Sequence, residues 1–188
     1  FVEIDFDGYH VRLIADAVGH EFTSESVHVQ LGREYFNTQE LTEEQYAASK
    51  QLTFEQMYGG IQEKYRYIEF FDKVVGLKNT LWKDYCDKGY ATAPISGKKF
   101  STRLKDMHAL KLMNYIIQNL ETSRNILILK EVLRYLQTKK SSIALYTYDA
   151  ILFDISEEDQ NIVEELQIIM SENGKYPVKT KQNSTLLL

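Results

Sequence analysis

The chain has one cysteine, Cys86, and only two prolines in 188 residues, and it contains no glycine- or serine-rich tract. A single thiol excludes a disulfide framework and makes a reducing compartment the default. So few prolines, with no low-complexity run, argue against a linker or a disordered segment. No apolar run approaches the roughly 20 residues that a helical membrane span needs, so no membrane partner is expected. His20, His108 and Cys86 lack the spacing of metal ligands, which argues against a zinc site. No internal repeat appears. What remains is a soluble composition, 44% hydrophobic and 26% charged, long enough for one substantial core with room for two lobes. Phe1 already falls inside a strand pattern, with neither an initiator Met nor a signal peptide before it. The chain therefore reads as a fragment of a longer protein.

The formal net charge is −5, but it is unevenly spread. Residues 1–59 carry 3 basic and 11 acidic side chains, residues 60–140 carry 16 and 8, and residues 141–188 carry 3 and 8. A basic middle between acidic ends is what separate nucleic-acid-tracking and cation-binding regions would produce. Solvated helix faces would give the same counts.

Hydrophobic periodicity places the elements. Residues 1–6 read as a buried strand, followed after Gly8 by an amphipathic helix over 9–18 that Gly19 ends. Ser24 or Ser26 opens a second helix reaching Phe36. Thr42-Glu-Glu-Gln45 is a capping box, which starts a third helix that runs to Tyr58 and stops at Gly59-Gly60. Residues 61–88 read as a long aromatic-rich helical region. Residues 90–95 and 98–102 read as a hairpin with a basic turn. Residues 106–140 read as helix, and 143–155 as a second hairpin. Ser156-Glu-Glu-Asp159 reads as the cap of a helix ending near Met170, and residues 176–181 as a last strand. Few strands among many helices, without βα alternation, predict an α+β fold.

Three residues of the third helix stand four apart: Lys50, Phe54 and Tyr58. That spacing stacks them on one helix face. A cation, an aromatic plate and a hydroxyl in that order suit the phosphates, base and sugar of a nucleoside triphosphate. Far apart in sequence, Asp5 ends an apolar run and Asp149 sits at the crest of the second hairpin. Two carboxylates brought together from separate strands can hold a pair of magnesium ions for in-line phosphoryl chemistry.

These pieces, in this order, resemble the family A DNA polymerases. Asp5-Phe-Asp-Gly-Tyr-His-Val-Arg12 is similar to that family's motif A, and Lys50-Gln-Leu-Thr-Phe54-Glu-Gln-Met-Tyr58-Gly59 to motif B. Tyr148-Asp149-Ala150 stands where motif C has His-Asp-Glu. The likeness runs from Phe1 to about Val178. It implies an antiparallel palm-like sheet with an inserted helical fingers subdomain, residues 1–20 and 90–188 being mostly palm and 21–89 mostly fingers. It also implies template-directed DNA synthesis from dNTP onto a primer–template DNA, with two Mg2+ ions as cofactors. A monomer in the cytoplasm is expected (the host's, given a viral or phage lineage). Thumb and exonuclease regions are missing, so weak or no activity is expected of the fragment alone.

The resemblance also assigns residues. Asp5, Asp149 and the Phe6 carbonyl would hold the metals, and Lys50 would neutralise the triphosphate and protonate the leaving pyrophosphate. Phe54 would stack on the incoming nucleotide and Tyr58 would border the templating base. His28 would contact phosphates. Lys98 and Lys99 resemble a basic turn near the primer, and Asn114 and Gln118 match amides that reach the minor groove. The chain departs from the pattern at His10, where the family has a Glu guarding the sugar 2′ position, and at Tyr46, where it has an Arg for the phosphates. It departs again at Tyr148 and Ala150.

Two other readings compete. Asp5-Phe-Asp7-Gly8 also resembles the opening of a haloacid-dehalogenase-type phosphatase, which needs a doubly wound parallel sheet and usually has Thr where this chain has Tyr9. A non-catalytic nucleic-acid-binding remnant of the polymerase fold is the other. Retention of both aspartates and Lys50 argues against it.

Overall fold

The computed structural model describes residues 1–101 and 105–182. In chain order the elements are β1 (Val2–Phe6), α1 (Tyr9–Val18), α2 (Val27–Phe36), α3 (Glu43–Gly59), a 3-10 turn (Glu63–Tyr65), α4 (Glu69–Lys88), β2 (Tyr90–Thr92), β3 (Lys99–Ser101), α5 (Ala109–Leu136), β4 (Ser142–Thr147), β5 (Ala150–Asp154), α6 (Ile162–Met170) and β6 (Val178–Gln182). The fold is mixed α and β with antiparallel sheets, as the sequence pattern predicts. The chain divides into two compact units, one of residues 1–9 with 121–188 and one of residues 10–120.

The first unit is built on a four-stranded antiparallel sheet in the order β4-β5-β1-β6. No parallel pair occurs in it, so it is not the doubly wound sheet that a haloacid-dehalogenase fold requires. Period-2 alternation buries Val2, Ile4 and Phe6 of β1 while Glu3 and Asp5 stay half-buried on the other face. The register sets Ile4 opposite Ile151, and Val2 opposite Phe153, so the neighbouring strands bury the same face. Two helical stripes at four-residue spacing are buried with them: Ile128, Val132 and Leu136 of α5, and Ile162, Leu166 and Met170 of α6. Arg124 pairs with Glu172 and lies over the Tyr176 ring, which ties α5 to the segment after α6.

Residues 157–161 form turns and a bend, and α6 opens only at Ile162. The acid of the expected cap is used elsewhere. Asp159 Oδ2 accepts from the backbone N–H groups of Lys140 (2.9 Å) and Ser141 (2.7 Å), and from the Ser141 hydroxyl (2.7 Å). Those bonds hold its carboxyl below the usual range and seal the entry to β4.

The second unit is helical apart from the β2–β3 hairpin. Thr42 and Gln45 form the reciprocal capping box that starts α3. Its buried side (Ser49, Thr53, Gln56, Met57) includes a close approach to α2 at Gly32, where a Cβ would come within 2.6 Å of Leu41 and 3.0 Å of the Ser49 hydroxyl. A side chain there would have to displace the Leu41 methyl and would crowd Ser49. Helix α4 begins at Glu69, later than the aromatic pattern from residue 61 implies, because residues 61–68 are taken up by a 3-10 turn and bends. The β2–β3 strands are shorter than expected, and Thr102, the predicted end of the second, lies outside the described residues.

Candidate active site

In the first unit the strand register builds the acidic pair. Asp5 lies opposite Ala150 of β5 on one side and Lys179 of β6 on the other. Asp149 is the second residue of the two-residue turn between β4 and β5. Its carbonyl accepts from the Phe6 N–H at 3.0 Å, so the turn is bonded to the residue next to Asp5. Burial, then the charge of Asp149, raise the Asp5 carboxyl above its ordinary value of 3.8. Lys181 and Lys179 oppose that shift only partly, since Lys179 is paired with Asp7 and Lys181 with Glu3 at 3.1 Å. Asp154 is exposed at the far end of β5.

A half-desolvated carboxylate beside a like charge is a site that a cation relieves. Two carboxylates and the backbone at Phe6 are hard oxygen donors of the kind magnesium takes, with waters and substrate phosphates completing its shell. Among the described residues no group of three or more His, Cys, Asp or Glu gathers that could hold a metal by itself. The donor set thus suits an ion shared with a phosphate-bearing ligand.

In the second unit, the four-residue spacing on α3 becomes a continuous row of rings. Lys50 is exposed and Phe54 is 42% exposed, so Phe54 is not a core residue. The Phe54 and Tyr58 rings stack with centroids 6.2 Å apart and planes within 14°. His28 of α2 lies between Phe54 (5.8 Å) and Tyr46 (6.4 Å). At the other end His10 of α1 meets the Tyr58 ring edge-on at 5.9 Å, and its Nδ1 shares a hydrogen bond with the Tyr58 hydroxyl. Four rings expected at a nucleotide site are therefore joined to Phe54 in one chain of contacts.

Supporting bonds hold this row in place. The Ser49 hydroxyl donates to the His28 carbonyl at 2.6 Å. Buried Arg12 donates to the carbonyls of Thr23 (2.9 Å) and Glu25 (2.8 Å), fixing the loop that leads into α2. Asn114 Nδ2 donates to the Tyr58 carbonyl at 3.4 Å, so this amide contacts the end of α3. Gln118 is exposed one turn further on. Lys98 and Lys99 are exposed on the hairpin, over the rings of Phe100 (5.6 Å) and Tyr90 (4.5 Å). Asn119 Oδ1 accepts from Ser96 in the same hairpin turn at 2.6 Å.

No family model matches the chain, and no curated protein matches it. Among solved structures it is similar to the POL domain of Pol1 from M. smegmatis in complex with DNA primer-template and dNTP, with a TM-score of 0.73 and 17% identity. The likeness is one of fold. It covers 96% of this chain and 38% of that one, so the chain spans well under half the length of the structure it matches. No helix among the described residues is long and apolar enough to cross a membrane.

Sequence reasoning passed over Asn125 and the Tyr9 hydroxyl, which join β1's end to the Asp149 turn. An isolated polar residue in the apolar stretch Asn125-Ile-Leu-Ile-Leu129 was the one available signal.

The raised Asp5 carboxyl has a consequence for stability. Its folded form prefers the proton, so the contribution is fully present below 3.8 and is lost as pH rises through the higher folded value. Asp5→Asn should therefore melt at a higher temperature than the parent at neutral pH without divalent cations, with the gap closing toward pH 3. A variant less stable than the parent at pH 7 would contradict the assigned environment.

Proposed function

We propose that the protein carries out template-directed DNA synthesis, joining a deoxynucleotide to the 3′ end of a primer, with Asp5 and Asp149 as the residues that hold two magnesium ions. The observation that carries this reading is Asp149, in the turn between β4 and β5, drawn beside Asp5 of β1 by the Phe6 N–H bonded to the Asp149 carbonyl, with the Asp5 carboxyl raised by burial and by its neighbour's charge. The row of rings on α2, α3 and α1 supports it, as does the fold shared with a domain solved with primer-template and dNTP.

In this chemistry the primer 3′ oxygen forms a bond to the α-phosphorus of the nucleotide while the bond to the bridging oxygen breaks and pyrophosphate leaves. Bound magnesium supplies charge compensation and lowers the cost of deprotonating the attacking hydroxyl. The chain's own residues bind and orient. Lys50 meets the triphosphate as a positive charge and then gives its proton to the leaving pyrophosphate, ending neutral. His28 and Tyr46, in ring contact with each other, are taken to flank the phosphates. Phe54 is exposed enough to stack on a base, and Tyr58 borders the templating position. In this reading Lys98 and Lys99 track the primer backbone and exposed Gln118 reaches the minor groove, with Asn114 beside it bonded to the Tyr58 carbonyl. Positioning and charge compensation account for most of phosphoryl-transfer catalysis, so these roles need little covalent participation from protein.

Two variants of the complete protein that carries this chain test the reading. Asp149→Asn should abolish magnesium-dependent primer extension, a loss of at least about a hundredfold by analogy with removing an essential charge-stabilising group, and leave duplex binding within about twofold. Extension at the parental rate would remove Asp149 from the metal site.

His10 shares a hydrogen bond with the Tyr58 hydroxyl, and in this reading it stands on the sugar side of the proposed pocket. An imidazole there acts as a wall against a ribose 2′ hydroxyl, because its hydrogen bond to Tyr58 restricts its swing. His10→Ala should raise ribonucleotide use relative to deoxyribonucleotide use, measured as the ratio of the two kcat/KM values. An unchanged or lower ratio would place sugar selection at another residue.

A further inference from the structure

Asn125 lies in α5, is 3% exposed, and bonds to Tyr9 at the start of α1 and to Tyr146 and Tyr148 at the β4–β5 turn that carries Asp149. Its Oδ1 accepts from the Tyr9 hydroxyl at 2.9 Å. Its Nδ2 donates to the Tyr146 hydroxyl and to the Tyr148 carbonyl, both at 2.7 Å. An amide has two N–H donors and one carbonyl oxygen, so each group of this side chain is engaged.

The Tyr148 bond bears directly on Asp149, the next residue. Tyr148 holds a left-handed φ of 45°, uncommon for a bulky side chain and more readily adopted by Gly, Asn or Asp. Such a conformation persists only where its surroundings over-determine it. The hollow behind the turn, bordered by Phe6, Asn125, Ile128, Tyr146 and Ile151, is too small for a water molecule. The Asn125 amide is the donor that meets the Tyr148 carbonyl there. On the opposite strand, the Tyr9 ring stacks on Phe6 with centroids 4.0 Å apart and planes within 8°. Phe6 follows Asp5 and donates its N–H to the Asp149 carbonyl. Phe6, Tyr9, Asn125 and the Tyr148–Asp149 turn thus close a ring of contacts behind the two carboxylates.

We propose that Asn125 is a positioning residue for the divalent-cation site: it fixes the backbone of the Tyr148–Asp149 turn so that the Asp149 carboxylate stays beside Asp5, without touching the cation. This rests on the cation-binding role assigned to the two aspartates. Tyr9 acts with it by holding the amide in the orientation that points Nδ2 at the turn.

The test is Mn2+ binding to the complete protein, followed by the electron paramagnetic resonance signal of the free ion, with no nucleic acid and no turnover. Melting temperatures are recorded alongside. Asn125→Leu removes both donors at similar volume and should weaken Mn2+ binding about tenfold or more, the usual range for residues that orient metal ligands. Tyr9→Phe deletes one hydroxyl and should weaken it by a smaller but measurable factor, with a cooperative melt retained. The double variant Asp5→Asn, Asp149→Asn separates the two ideas. If it binds Mn2+ as the parent does, the aspartates are not the cation site and the role of Asn125 falls with them. If it loses Mn2+ while Asn125→Leu and Tyr9→Phe both bind as the parent does, the positioning role alone is overturned. Should Asn125→Leu fail to fold, Tyr9→Phe decides: weakened binding supports the role and parental binding overturns it.

Discussion

Antiparallel pairing of β1 with β5 sets Asp5 opposite Ala150, while the Phe6 N–H bonded to the Asp149 carbonyl draws the β4–β5 turn onto the end of β1. In a strand the side-chain period is two, so a register slip of one residue would turn Asp5 inward and bring Ile4 out. Burial of Val2, Ile4 and Phe6 against Ile151 and Phe153 makes such a slip costly. The apolar face of the sheet therefore fixes the position of its acidic edge. Packing and chemistry sit on opposite faces of the same strands.

That edge is not optimised for the cation-free protein. Asp5 loses water and faces a like charge, both of which disfavour its ionised form. The nearby lysines of β6 bond chiefly with Asp7 and Glu3, which leaves the Asp5–Asp149 pair under-compensated. A ligand that binds the folded state at this point stabilises it by linkage, and a divalent cation is the simplest such ligand. In the second unit, Lys50 and Phe54 are exposed on α3 and Tyr58 is half-buried, while Ser49, Thr53, Gln56 and Met57 take the buried side. The contact that keeps His28 in the row depends on Gly32, whose missing side chain lets Ser49 reach the His28 carbonyl.

Local chemistry was legible where one short stretch carried the whole signal. The alternation in Val2–Phe6, the Thr42–Gln45 capping box and the stop at Gly19 each correspond to observed element bounds. Ser156–Asp159 misled because Asp159 serves Ser141 and Lys140 at the mouth of β4, and a distant use of that kind leaves no mark on the local pattern. The region after Gly60 misled in another way, since aromatic richness does not distinguish a helix from a 3-10 turn with bends. Within the candidate site, the residue types were readable from motif order, but their supports were not. Asn125 is 116 residues from Tyr9, and its role exists only once the strands have paired.

In the proposed function, Asp5 and Asp149 hold the divalent cations of a nucleotidyl-transfer site. The most direct measurement is a crystal of the complete protein grown with primer-template, an incoming dNTP and Mn2+, with data collected at the manganese absorption edge. Anomalous peaks are expected within bonding distance of the carboxylates of both Asp5 and Asp149 and of phosphate oxygens of the nucleotide. Nucleotide bound with manganese ligated by other residues, and neither aspartate contacting metal, would contradict that role.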